Sequence, residues 1–150
     1  HRRIPLIRIA RLYLFIGGLV IALVVVLAVA SRSQAKPGQN LTGTHWNLTS
    51  IDGKAHVKAG AQVFLNFDPG NQISGNSGCN SYGGDYVLNG NALTFSKMFS
   101  TLMVCANQSV NDQEAAFNQA MSSVASFEIS NGQLSFNDAS GTVVLVFSKA

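Results

Sequence analysis

The sequence predicts an α+β domain: a small, strongly bent antiparallel β-sheet or barrel with one packed helix, preceded by one N-terminal transmembrane helix. Three observations lead there. The stretch from Leu12 to Ala30, "LYLFIGGLVIALVVVLAVA", runs for nineteen residues without a charge. From about Leu41 onward, apolar residues alternate with polar ones between strong turn dipeptides. Within that region, only residues near 110–124 repeat their apolar positions at helical spacing.

The elements follow in chain order. Residues 1–11 hold Arg2, Arg3, Arg8 and Arg11. At about 1.5 Å per residue, the nineteen-residue run at 12–30 nearly spans a hydrocarbon core of roughly 30 Å. As a helix it satisfies all its backbone groups internally. The arginines before it, against Arg32 and Lys36 after it, predict a cytoplasmic N-terminus and a periplasmic or extracellular C-terminal domain. "AVA" at 28–30 also offers a small-x-small signal-peptide site. The run exceeds the usual apolar core of such peptides, roughly 7 to 15 residues, which favours an uncleaved anchor. Gly18 and Ala22 form a small-xxx-small pair suited to close packing against other transmembrane helices. Residues 31–40, "SRSQAKPGQN", read as a linker.

The domain at 41–150 is patterned mainly as strands. "NALTF" places Leu93 and Phe95 on one face, and "QLSF" does the same with Leu134 and Phe136. Asn89-Gly90 and Asn131-Gly132 are each expected to make a type I′ hairpin turn, because both residue types accept positive φ. Asp68-Pro69-Gly70 marks another turn. "TVVLVF" at 142–147 is apolar on both faces, as an interior strand would be. For the helix, Asn111 is expected as the N-cap, with Glu114 closing a capping box and Val110 as a staple. Phe117, Ala120, Met121 and Val124 supply its buried stripe.

Charge separates the two parts. The first 39 residues carry five Arg, one Lys and no acid; the remainder has four Lys against seven acids, a net −3. The basic residues are therefore off the domain, and nucleic acid is not an expected partner. The glycine-rich stretch "ISGNSGCNSYGGDY" at 73–86 invites a catalytic reading, since Ser77 resembles the glycine-flanked nucleophile of chymotrypsin-like proteases. Such a serine needs a histidine base and an orienting carboxylate. The domain has only His45, beside Trp46 in a strand, and His56, in a polar loop. Two cysteines 26 apart give no paired metal-ligand spacing, and no lysine completes a phosphate loop. No catalytic, metal or cofactor residues are expected. Gly75, Gly78, Gly83 and Gly84 suit a bulge or sharp corner, with Asn76 and Asn80 bonding backbone that the turn leaves unpaired.

With these elements in place, the domain resembles the META/HslJ-like domains, the family of a heat-inducible bacterial envelope lipoprotein. The resemblance covers residues 41–149 and rests on "WNLTSIDG", "VFLNF", "ISGNSGCNSYGGDY", "STLMVC", the Glu114–Phe117 helix start, "GQLSF" and "LVF". Its most specific part is Gly78-Cys79-Asn80 followed by Tyr82, Gly84 and Tyr86, with Thr101, Met103 and Cys105 downstream; Gly75 belongs to the same signature loop. Leu102 and Ala106 depart from it, where an arginine and a proline are common.

The resemblance implies a small α+β barrel, found in envelope and exported proteins, with no established catalytic activity. A non-catalytic, membrane-anchored accessory or scaffolding subunit of a membrane complex is therefore expected, with the lipid bilayer and other transmembrane subunits as partners. The alternative is a small-barrel binding module for an apolar ligand or peptide. Two cysteines in an exported domain, each inside a signature segment, are expected to form a Cys79–Cys105 disulfide. Two buried free thiols remain the other possibility.

Overall fold

The computed structural model describes residues 40–55 and 62–150. The anchor expected at 12–30, Gly18 and Ala22 within it, and His56 lie outside the described residues. No described helix is long and apolar enough to cross a membrane.

Period-two patterning becomes nine strands: β1 (Thr44–Ile51), β2 (Lys54–Ala55), β3 (Phe64–Asp68), β4 (Gln72–Asn76), β5 (Ser81–Asn89), β6 (Ala92–Ser100), β7 (Ser126–Ser130), β8 (Gln133–Asn137) and β9 (Val143–Lys149). One helix, α1 (Gln108–Ser123), joins β6 to β7. The strands hydrogen-bond in the order β2-β1-β3-β4-β5-β6-β7-β8-β9, and β1 also pairs with β9. Every pairing is antiparallel. The sheet therefore bends back toward its own start. It has a narrow seam between β6 and β7, where Ala92 opposite Ser126 is the single register pair. Bonds from Leu93 N–H to the Ala125 carbonyl (3.0 Å) and from Phe127 N–H to the Asn91 carbonyl (2.9 Å) hold that end together. The result is a bent sheet with one helix, interrupted at that seam.

Alternation decides which side chains turn inward. Trp46, Leu48, Leu65, Phe67, Leu134, Phe136, Leu145 and Phe147 are all buried. Aromatic rings fill much of the interior: Phe67 meets Tyr86 edge-on at 5.1 Å between centroids, and Phe136 lies 5.3 Å from Phe147. Phe64 instead lies outside the core, stacked on His45 at 5.2 Å.

The turns follow their chemistry, with one shift. Asn131 and Gly132 have φ of 51° and 75° between the paired Ser130 and Gln133, as a type I′ turn requires. Asn89, however, pairs with Ala92, so the other two-residue loop is Gly90-Asn91. Only Gly90 has positive φ there (64°), the sign pattern of a type II′ turn. A bulge interrupts β6, where the register shifts between Gly83 and Asp85 and Lys97 takes a φ of 49°.

The helix starts one turn earlier than expected. Its N-cap is Asn107, whose Oδ1 accepts from Ser109 N–H at 3.0 Å. Asn111 lies inside the helix and its side chain is committed elsewhere, as is that of Glu114. The buried stripe is Val110, Gln113, Glu114, Phe117, Ala120 and Met121, continued by Val124 at the C-cap. Phe117 packs on the Tyr82 ring at 5.5 Å, which anchors the helix to β5.

Candidate functional site

The glycine-rich stretch forms β4, a sharp corner and the start of β5, and the corner is organised around one side chain. Asn80, 5 % exposed, uses its whole amide. Nδ2 donates to the Met103 carbonyl and to Glu114 Oε2, both at 2.9 Å. Oδ1 accepts from Met103 N–H and from Thr101 Oγ1, both at 2.7 Å. The Asn80 backbone N–H donates to Glu114 Oε1 at 3.0 Å, and its carbonyl accepts from Ser77 N–H at 2.8 Å. Glu114, buried on α1, thus receives the corner from the helix side, and Ser77 Oγ also bonds its carboxylate.

A covalent link runs alongside. Cys79 and Cys105 form a disulfide with their Cα atoms 5.8 Å apart, so the expected pairing is the observed one. Beyond it, Asn111 holds the backbone of Cys105 from both sides. Its Oδ1 accepts from Cys105 N–H at 3.0 Å, and its Nδ2 donates to the Cys105 carbonyl at 2.9 Å. The segment Thr101–Cys105 is therefore clamped at alternate residues, by Asn80 at Met103 and by Asn111 at Cys105. The side chains of Leu102, Met103 and Val104 are left 96 %, 60 % and 87 % exposed, and Leu102 and Val104 lie between the clamped residues.

The signature glycines act mostly through space. Only Gly78 has a positive φ, at 117°. A Cβ on Gly75 would lie 2.3 Å from the Phe64 carbonyl oxygen and 2.5 Å from Tyr82 Cζ, so Gly75 admits the Tyr82 ring beneath β4. Gly83 likewise receives the Phe99 ring and Gly84 the Met98 sulfur, with a Cβ 2.6 Å from each. Tyr82 donates its phenol proton to the Phe64 carbonyl at 3.0 Å. Burial holds that phenol well above the ordinary tyrosine range.

The catalytic reading of Ser77 finds no support in this geometry. Ser77 is 0 % exposed, with Oγ turned to the Asn80 carbonyl and to Glu114. His45 bonds Asn66 instead. Among the described residues, no group of three His, Cys, Asp or Glu side chains is placed to hold a metal. A groove of ≈ 490 Å³ lies between β6 and α1, where Phe95, Met98, Phe99 and Met121 line it together with the polar Asn118 and Ser122.

Sequence reasoning brought Gly75, Gly78, Cys79, Asn80, Tyr82, Gly84 and Cys105 to one region, and the structure places them there. It missed Glu114 and Asn111 as partners of that region, and the outward Leu102 and Val104. The available signal for the last pair was an uncharged Leu-Met-Val run just ahead of a helix.

Comparison with known proteins bears on the fold. No curated protein matches the chain. A protein from Burkholderia xenovorans solved by NMR is similar at 24% identity and a TM-score of 0.59, over 80% of this chain and 96% of that one. A second NMR structure is similar at 24% identity and a TM-score of 0.57, over 70% of this chain and 87% of that one. At that identity both show the fold alone. A family model, the META domain, matches residues 39–150, which is most of the chain and includes the corner, the disulfide and the helix. The chain belongs to the META domain family.

Proposed function

We propose that this is a non-catalytic envelope protein, tethered by the apolar run at 12–30, that presents its META domain on the extracytoplasmic side as an accessory or scaffolding subunit of a membrane complex. The observation that carries the reading is the Cys79–Cys105 disulfide, a bond that persists mainly in oxidising compartments. The seclusion of Ser77 supports a structural use of the glycine-rich corner. The test is to express the full chain in a bacterial host, extract the membranes with carbonate, and treat intact cells and spheroplasts with external protease. The chain should stay in the membrane pellet, and the domain should be digested in spheroplasts only. Both cysteines should resist thiol labelling until reduced. A soluble, protease-shielded domain with two free thiols would overturn the reading.

The groove favours a second reading, a small-barrel binding module for an apolar ligand or peptide, with the bent sheet taken as a barrel opened at the β6–β7 seam. Because Phe67, Phe136 and Phe147 occupy the interior, a ligand of this module would lie along the groove between β6 and α1.

A further inference from the structure

Strand pairing leaves one side of β6 open. Past the Ala92–Ser126 pair, the outer edge of β6 from Phe95 to Ser100 faces no strand among the described residues. The ≈ 490 Å³ groove lies between that part of β6 and α1. The same edge continues beyond the strand. Thr101 N–H bonds the Ser81 carbonyl at 3.0 Å, while Met103 and Cys105 are held by the side-chain amides of Asn80 and Asn111. Met103 and Cys105 thus spend both backbone groups on these amides, and Thr101 spends its N–H on β5. Leu102 and Val104 find no hydrogen-bonding partner among the described residues, and their side chains stand in solvent.

We infer that the edge from Met98 to Val104, beyond the bulge at Lys97, receives an extended peptide segment by strand addition, with apolar side chains on alternate residues and no charge at its centre. This rests on the binding-module reading and names its ligand class. Three features select a peptide strand. First, an acyl chain could fill the groove but would leave the edge N–H and C=O groups without partners as it excluded water from them; a strand supplies a ladder. Second, exposed edges are normally blunted by charge or proline, and Met98–Ala106 contains neither. The nearest cation, Lys97, is engaged by Asp85 at 2.8 Å. Third, the disulfide and the two amide clamps hold Leu102 and Val104 outward before any partner arrives, so docking costs little ordering of this side of the interface.

The test uses the purified, isotope-labelled full chain in lipid nanodiscs. The probe is a pooled library of uncharged decapeptides alternating Val, Leu or Phe with Thr or Ser, with dodecanoate added in parallel. Retained peptides should slow amide exchange at Leu102 and Val104 by tenfold or more and lose binding when N-methylated along one edge. Leu102→Asp with Val104→Asp should weaken retention at least tenfold, and unchanged thermal unfolding will show that this variant folds. Dodecanoate binding in the groove with no peptide retained would overturn the strand proposal while leaving a binding module. Retention of neither probe would remove both. Peptide retention that ignores the double variant, or that arises only as concentration-dependent pairing of two chains, would also overturn it.

Discussion

Replacing Asn80 by Ala tests whether one amide holds the corner, the 101–105 segment and the helix together. The change removes four side-chain hydrogen bonds: two to the Met103 backbone, one to Thr101 and one to the Glu114 carboxylate. Net contributions are about 1 kcal/mol for each neutral bond and about 1.5 to 3 for the one to a charged group. Water can reach part of the Met103 backbone and the Thr101 hydroxyl, since both residues are exposed, which lowers the total. The buried Glu114 oxygen has no such relief. A loss of about 3 to 5 kcal/mol follows, which would lower the unfolding midpoint of a domain this size by more than about 10 °C. Urea unfolding of wild type, Asn80→Ala, Glu114→Gln and the double variant measures it. The two single effects should fall short of additivity by 1 kcal/mol or more in the double variant. A loss below about 1 kcal/mol, or strict additivity, would refute the idea of a single shared node.

Other outcomes follow from the same contacts. Replacing Cys79 and Cys105 together by Ser should cost about 3.5 kcal/mol on the chain-entropy estimate for a separation of 26 residues, read by calorimetry with and without reductant. Gly75→Ala drives a Cβ into the Phe64 carbonyl and the Tyr82 ring and should destabilise by about 2 to 3 kcal/mol, whereas the open space at Gly43 limits Gly43→Ala to the roughly 1 to 2 kcal/mol cost of its φ of 78°. Tyr82 has its pKa raised by burial, so its stabilising contribution is complete below the ordinary tyrosine value of about 10 and is lost as pH climbs toward the raised folded value. Absorbance at 295 nm should therefore show one phenol ionising only with unfolding, and Tyr82→Phe should remove that step.

What the chain made legible was local. The Asn131-Gly132 turn and the alternation in "QLSF" depend on neighbours within a few residues, and both appear as expected. The helical stripe from Phe117 to Val124 survives for the same reason. The N-cap did not, because Asn111 followed by Glu114 matches a capping box while Asn107 matches only a cap. What separates them lies outside the helix: Glu114 is claimed by Asn80, thirty-four residues away, and Asn111 by the Cys105 backbone, six residues before it. The family resemblance located the corner yet carried no account of what Asn80 bonds. The outward Leu102 and Val104 went unread for a related reason, although the uncharged Leu-Met-Val run ahead of the helix was a signal. Apolar residues normally turn inward, whereas here the two amide clamps fix the backbone at Met103 and Cys105 and the side chains of Leu102, Met103 and Val104 all stand exposed.

The central claim is that a buried, disulfide-linked node presents the 101–105 segment with one backbone edge bonded and the other free. Residue-resolved amide hydrogen exchange on the free protein measures this directly. The account predicts alternation: Met103 and Cys105 protected through Asn80 and Asn111, with Leu102 and Val104 exchanging near the rate of an unstructured chain. Uniformly fast exchange from Thr101 to Cys105, or protection at Leu102 and Val104 with no ligand present, would contradict it.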